Sequence, residues 1–83
     1  MQIIIEDMAT TYTRVGKGPA VVILHGWGDS SASWQVLAAN LSKEYDVIVP
    51  DLPGFGGTEA PPVAWNVTNY AAFVRDFLAK LAI

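Results

Sequence analysis

The stretch Ala20-Val21-Val22-Ile23-Leu24-His25-Gly26-Trp27-Gly28-Asp29 constrains the fold of this chain more than any other. Five apolar residues run together without polar alternation, and three are β-branched, which predicts a strand buried on both faces. The run ends in a polar, glycine-punctuated corner. In open α/β sheets ligands gather at the carboxyl ends of strands, where backbone N–H groups and side chains converge on a crevice held by rigid elements.

The flanking residues supply the rest of such a sheet. Gln2 to Ile5 and Thr10 to Val15 are short runs rich in β-branched residues, separated by Glu6-Asp7-Met8-Ala9, and they predict an antiparallel hairpin whose second strand is an edge with one wet face. Gly16-Lys17-Gly18-Pro19 then marks a turn into the apolar strand. Beyond Gly28, Asp29 to Ser33 is rich in capping residues, and Trp34, Leu37, Ala38 and Leu41 recur at helical spacing, with Lys43 placed to complement the helix dipole. Val47-Ile48-Val49, closed by Pro50, completes a strand, helix, strand unit with parallel strands.

A second glycine-rich corner follows this strand, Asp51-Leu52-Pro53-Gly54-Phe55-Gly56-Gly57-Thr58-Glu59, in which Pro53-Gly54 suits the centre of a type II turn. From Thr68, taken as N-cap, the positions Tyr70, Phe73, Val74, Phe77, Leu78 and Leu81 predict an amphipathic helix whose aromatic stripe is core, with Asp76 and Lys80 paired on its polar face. Asn66-Val67-Thr68 has the form of a glycosylation sequon and is expected to serve only as the helix entrance.

Composition narrows the function classes. With 83 residues, 52% hydrophobic and 16% charged, the chain reads as one globular unit, residues 1–83, and a unit this small is marginal unless something completes it. It has no cysteine and one histidine, so disulfides, thiolate metal sites and a histidine-rich zinc site are excluded. A net charge of −3 with five scattered Lys and Arg residues speaks against nucleic acid as partner. No apolar stretch reaches the roughly 20 residues of a membrane span and the start lacks a leader pattern, so no membrane partner and a cytoplasmic setting are expected.

His25-Gly26-Trp27-Gly28 after one apolar strand, with Asp51-Leu52-Pro53-Gly54-Phe55-Gly56 after another, resembles the amino-terminal part of the α/β-hydrolase superfamily. The resemblance spans the whole chain and implies an α/β sheet that opens with an antiparallel hairpin, continues with parallel strands, carries a helix on each face, and stops before the nucleophile-elbow strand. It implies a hydrolase, serine-type and esterase-like when complete, acting on a small-molecule substrate with no cofactor or metal. An aspartate nucleophile, as in the dehalogenase and epoxide-hydrolase branches, is the alternative chemistry. The backbone N–H of Trp27 would be one of two oxyanion donors, with His25, Gly26, Gly28, Asp51, Gly54 and Gly56 as residues of the active-site loops. The family's Gly-x-Ser-x-Gly elbow is missing, since Ser30, Ser31, Ser33 and Ser42 lack its glycines, and the nucleophile, acid and catalytic histidine are expected outside these residues.

Each candidate also has a purely structural role open to it. His25 is expected to be a hydrogen-bonded structural histidine rather than a base, because its partners are absent. Trp27 is either a pocket wall or a core aromatic. Asp51 beside a Pro-Gly turn is expected to order its loop, and Asp29 and Glu59 to be solvated loop charges.

Two other functions compete with a hydrolase segment. Gly26-Trp27-Gly28 could form the phosphate loop of a nucleotide-binding module, but position 31 is Ser31 and no Gly-Lys-Ser/Thr is present. Alternatively the chain is a non-enzymatic binding or self-associating module. In the hydrolase fold the apolar strand is central, so these residues alone would expose a parallel edge rich in Val and Ile, and self-association of the isolated, inactive chain is expected.

Overall fold

The computed structural model describes all 83 residues. Four strands, β1 (Gln2–Ile5), β2 (Met8–Val15), β3 (Ala20–Val22) and β4 (Asp46–Pro50), form one sheet in the order β1-β2-β4-β3. The pairs β1/β2 and β2/β4 are antiparallel and β3/β4 is parallel. Helix α1 (Gln35–Leu41), entered through a 3₁₀ turn at Ser31–Trp34, connects β3 to β4, and α2 (Val67–Lys80) follows β4.

The core is divided by β4. Val47, Ile48 and Val49 are all fully buried, and because successive side chains point to opposite faces they serve different layers. Ile48 packs with Ile5, Met8 and Tyr12 against Phe73 and Phe77 of α2. Val47 and Val49 pack against Ala38 of α1, flanked by Trp34 and Leu41. The two helices therefore cover opposite faces of the sheet, as expected for an α/β-hydrolase sheet. Phe73 and Phe77, one helical turn apart, stack with ring centres 6.4 Å apart, and Tyr12 meets Phe77 edge-on at 5.5 Å. Burial of rings this size stabilises by roughly 2–3 kcal/mol each.

Several local expectations are corrected. The β1–β2 connection is the two-residue turn Glu6-Asp7, not four residues. Met8 is buried in the core and pairs with Ile5, and the tight turn holds Glu6 and Asp7 at φ of 49° and 65°. Strand β2 is internal rather than an edge, flanked by β1 and β4, with the Arg14 guanidinium bonded to both carboxylate oxygens of Asp46 at 3.1 and 2.8 Å. The apolar run is regular only over Ala20–Val22 and is not buried on both faces. It is one edge of the sheet, and Leu24 is 48% exposed because no strand lies beyond it. Lys43 falls outside α1. The N-cap of α2 is Asn66, not Thr68: Asn66 and Asn69 each accept the other's backbone N–H at 3.0 Å, a reciprocal box that a threonine two residues later could not make. Asp76 pairs with its neighbour Arg75 at 3.3 Å rather than with Lys80.

The turn before β3 is glycine by necessity at two positions. Gly16 and Gly18 have φ of 97° and 122°, and a Cβ would lie 2.0 Å from the Tyr45 carbonyl oxygen at the first and 2.4 Å from that of Glu44 at the second. This close approach lays the turn on the α1–β4 connection and sets β3 beside β4, where the Asp46 N–H donates to the Pro19 carbonyl at 3.0 Å.

Candidate active site

Because β3 and β4 run parallel, their carboxyl ends emerge at the same edge of the sheet, and the loop after each meets the other there. His25, 5% exposed, makes the junction. Its Nε2 accepts the Leu52 N–H at 2.9 Å, so the ring proton sits on Nδ1, which donates to the Gly26 carbonyl at 2.8 Å. That carbonyl also accepts the Asp29 N–H at 3.1 Å, closing a reverse turn over Gly26–Asp29 in which Gly28 has φ of 78°. Both nitrogens of His25 are committed to backbone.

Asp51 makes the second junction. Its buried carboxylate accepts the Ser31 N–H at 2.7 Å and the Gly57 N–H at 3.0 Å, joining the start of the helical segment to the second glycine loop. Burial pushes this carboxyl upward, but the Gly57 and Ser31 N–H groups and the Ser31 hydroxyl together hold it below the usual carboxylate range. Asp29 is likewise lowered, first by the Ser33 hydroxyl and then by the Ser30 N–H, with its burial opposing. It is a local cap rather than a free loop charge. The Trp34 indole lies near it without meeting hydrogen-bond geometry, which leaves Trp34 Nε1 buried and unpaired.

The second loop is built of turns. Phe55 donates to the Leu52 carbonyl at 2.9 Å across Pro53-Gly54, with Gly54 at φ of 88°, the geometry of a type II turn. Gly56 follows at φ of 53°, and a Cβ there would come within 2.4 Å of the Asp51 Cγ. The loop is tied down from two sides: the Tyr70 hydroxyl of α2 donates to the Pro53 carbonyl at 3.0 Å, and Thr11 of β2 bonds to Thr58 Oγ1 and the Gly57 carbonyl at 3.0 and 2.9 Å.

Trp27 stands at the tip of the first loop. The residue is 83% exposed, so it is not a core aromatic, and its backbone N–H donates to no group in the chain. The ring rests edge-on against Phe55 at 5.0 Å, and Phe55 in turn meets His25 edge-on at 5.6 Å. Phe55 was legible only as a member of its motif. An aromatic residue enclosed by glycines in a loop is the one signal that could have singled it out. The four serines are engaged otherwise, three around the 3₁₀ turn and Ser42 on the Ala39 carbonyl at 2.6 Å. No pocket lies over the corner, no acidic or histidine cluster could hold a metal, and no helix is long and apolar enough to cross a membrane.

Two parallel strands with a helix between them, their ends joined by a His-Gly corner and an Asp-x-Pro-Gly corner, define the opening of an α/β-hydrolase sheet. The chain belongs to the alpha/beta hydrolase fold family, whose family model matches residues 19–83. It is 40% identical over 76 residues to the pimeloyl-(acyl-carrier protein) methyl ester esterase of Pseudoalteromonas atlantica, a match covering 89% of this chain and 30% of the esterase. To the soluble epoxide hydrolase of Corynebacterium sp. strain C12 it is 32% identical over 80 residues, 96% of this chain and 28% of that protein. The structure superposes on that of an ancestral haloalkane dehalogenase with a TM-score of 0.95 and 27% identity, over 100% of this chain and 30% of the dehalogenase. The chain thus spans less than a third of the length of the enzymes it matches.

Proposed function

We propose that this segment supplies the oxyanion loop of an esterase-like α/β hydrolase. The observation that carries the reading is the unpartnered N–H of Trp27, next to a Gly26 carbonyl that His25 holds while its other nitrogen is fastened to Leu52. In the complete enzyme a serine hydroxyl from the missing part would attack the carbonyl carbon of a small ester, and the charge developing on the carbonyl oxygen would be received by the Trp27 N–H together with a second backbone donor after the nucleophile. A base outside these residues takes the serine proton and returns it to the departing alkoxide, which leaves as the alcohol; the same base then deprotonates water, which releases the acid from the acyl-enzyme and restores the serine hydroxyl. A preorganised donor of this kind contributes about 3 kcal/mol to transition-state stabilisation. His25 is not the base in this scheme, since Nε2 is occupied by Leu52. The 83-residue chain by itself would hold half an oxyanion hole and turn over no ester.

A second reading keeps the loop and changes the nucleophile to aspartate, favoured by the likeness to an epoxide hydrolase and a haloalkane dehalogenase. One experiment on the complete enzyme separates them. A fluorophosphonate probe should label one serine covalently and abolish p-nitrophenyl acetate hydrolysis. Absence of label, with ¹⁸O from water incorporated into an aspartate during turnover of an epoxide or haloalkane, would establish the second reading. Turnover by the 83-residue chain, lost on changing one of its own serines, would sink both.

A further inference from the structure

We infer that Phe55 is a positioning residue for the Trp27 N–H, so that the second glycine loop sets the geometry of the first; this rests on the oxyanion role given to Trp27 above. The backbone at Trp27 is free at the point that matters. The Gly26–Asp29 turn is closed at Gly26, but neither the N–H nor the carbonyl of Trp27 is bonded within the chain, Gly28 has open space around it, and a Cβ on Gly26 would meet nothing within 4 Å. From outside that loop the Phe55 ring meets the Trp27 ring, at 5.0 Å and an interplanar angle of 73°. That ring also meets His25 at 5.6 Å and 78°, so one side chain braces both ends of the His25-Gly26-Trp27 segment.

Phe55 is itself well fixed. Its N–H closes the type II turn on the Leu52 carbonyl and its own carbonyl accepts the Thr58 N–H at 3.1 Å, while Tyr70 and Thr11 hold the loop on either side. Edge-to-face aromatic pairs are directional, favouring separations of 4.5–7 Å and resisting rotation of either ring. A backbone donor works only when aimed at the oxygen of the transition state, and misplacement by about 1 Å can lower the rate about a hundredfold. A brace on the Trp27 ring therefore acts on the rate-determining charge stabilisation and not on ground-state binding.

The test uses the complete enzyme with Phe55→Leu, Phe55→Tyr, Trp27→Ala and the double variant Phe55→Leu/Trp27→Ala. Because the Trp27 ring is exposed, Trp27→Ala keeps the backbone N–H and the fold while removing the brace. The expected result is a kcat reduced about tenfold in Phe55→Leu and in Trp27→Ala with KM within about twofold, a double variant no slower than either single one, and near-native kcat in Phe55→Tyr. Affinity for a trifluoromethyl ketone, which forms a tetrahedral oxyanion on the enzyme, should fall in parallel with kcat. Should Phe55→Leu fail to fold, Trp27→Ala and Phe55→Tyr decide the matter alone. Native kcat and ketone affinity in Trp27→Ala, or multiplicative losses in the double variant, overturn this inference. A wild-type enzyme that binds no such ketone overturns the functional reading itself, and this inference with it.

Discussion

His25 Nε2 accepts the backbone N–H of Leu52 at 2.9 Å across 27 residues of sequence, so one neutral imidazole fastens the loop after β3 to the loop after β4. With Nδ1 turned onto the Gly26 carbonyl, the ring is an internal clasp whose two bonds both end on backbone.

Replacing His25 with phenylalanine keeps a ring against Phe55 but leaves the half-buried Leu52 N–H without an acceptor. A donor abandoned in this way costs about 1–3 kcal/mol. We expect a loss of that size in urea unfolding with an unchanged m-value, and a kcat reduction in the complete enzyme because Gly26 is released as well. Unfolding at the wild-type midpoint would show that water reaches Leu52 and that the clasp is dispensable.

Asp51 gives the fold an acid-sensitive joint. Its folded-state pKa lies below the ordinary value of 3.8, because the N–H groups of Gly57 and Ser31 outweigh the burial that pushes it upward. A depressed carboxylate stabilises the folded state above its unfolded pKa, and that contribution is lost as pH falls through the folded value. Stability should therefore be level from neutrality down to about pH 5 and decline below about pH 4. In Asp51→Asn the amide presents a donor where an acceptor is needed, so stability at pH 7 drops by about 2 kcal/mol and the acid-dependent decline flattens. Urea midpoints at pH 7, 5 and 3 measure both effects, and an equally steep decline in the variant would assign the acid sensitivity elsewhere.

The legible parts of this molecule are those in which one segment decides its own fate. Val47-Ile48-Val49 reads as a buried strand because both of its faces are covered, by α1 and α2, and the Phe73/Phe77 spacing reads as a helix face because period alone determines it. The apolar run at Ala20 carries the same signature but lies at an edge, where only β4 pairs with it and the other side is open. The hairpin turn at Glu6-Asp7 was hidden because left-handed turns are signalled by Asn-Gly or Asp-Gly pairs, and here two acidic residues adopt that conformation. In the candidate site, the motifs singled out His25, Asp51 and Gly56 without saying what each would touch. Ser31 is 20 residues from Asp51, and no local pattern encodes that bond.

The loop glycines separate strain from crowding. Gly54→Ala meets nothing closer than the Pro61 Cδ at 3.9 Å and suffers mainly from its φ of 88°, a penalty of about 1 kcal/mol. Gly56→Ala adds to the same strain a Cβ 2.4 Å from an Asp51 carboxylate that two N–H groups hold in place, and should lose more than about 2 kcal/mol. Gly26→Ala has neither problem and should unfold within about 0.5 kcal/mol of wild type. Its methyl group would stand beside the Trp27 N–H, so we expect this variant to lose activity in the complete enzyme while keeping its stability. Melting curves beside kcat/KM for the three variants check the order, and a fully active Gly26→Ala enzyme would place the substrate oxygen elsewhere.

The open side of β3 determines how the isolated chain behaves. Ile23 donates to the Ile48 carbonyl on the β4 side, so by strand alternation the N–H groups of Val22 and Leu24 point outward, beside a Leu24 side chain that is 48% exposed. Unpaired strand edges of this kind template association with a second chain. We expect the 83-residue polypeptide to sediment as dimers or larger species at micromolar concentration, and Leu24→Lys to shift it toward monomer, because a charge at the edge must be desolvated for two strands to pair. The substitution removes no core contact, so a change in sedimentation without a change in far-UV circular dichroism would locate the association at this edge. A wild-type chain that is monomeric, with sharp and dispersed amide resonances, would show that the edge is protected without a partner strand.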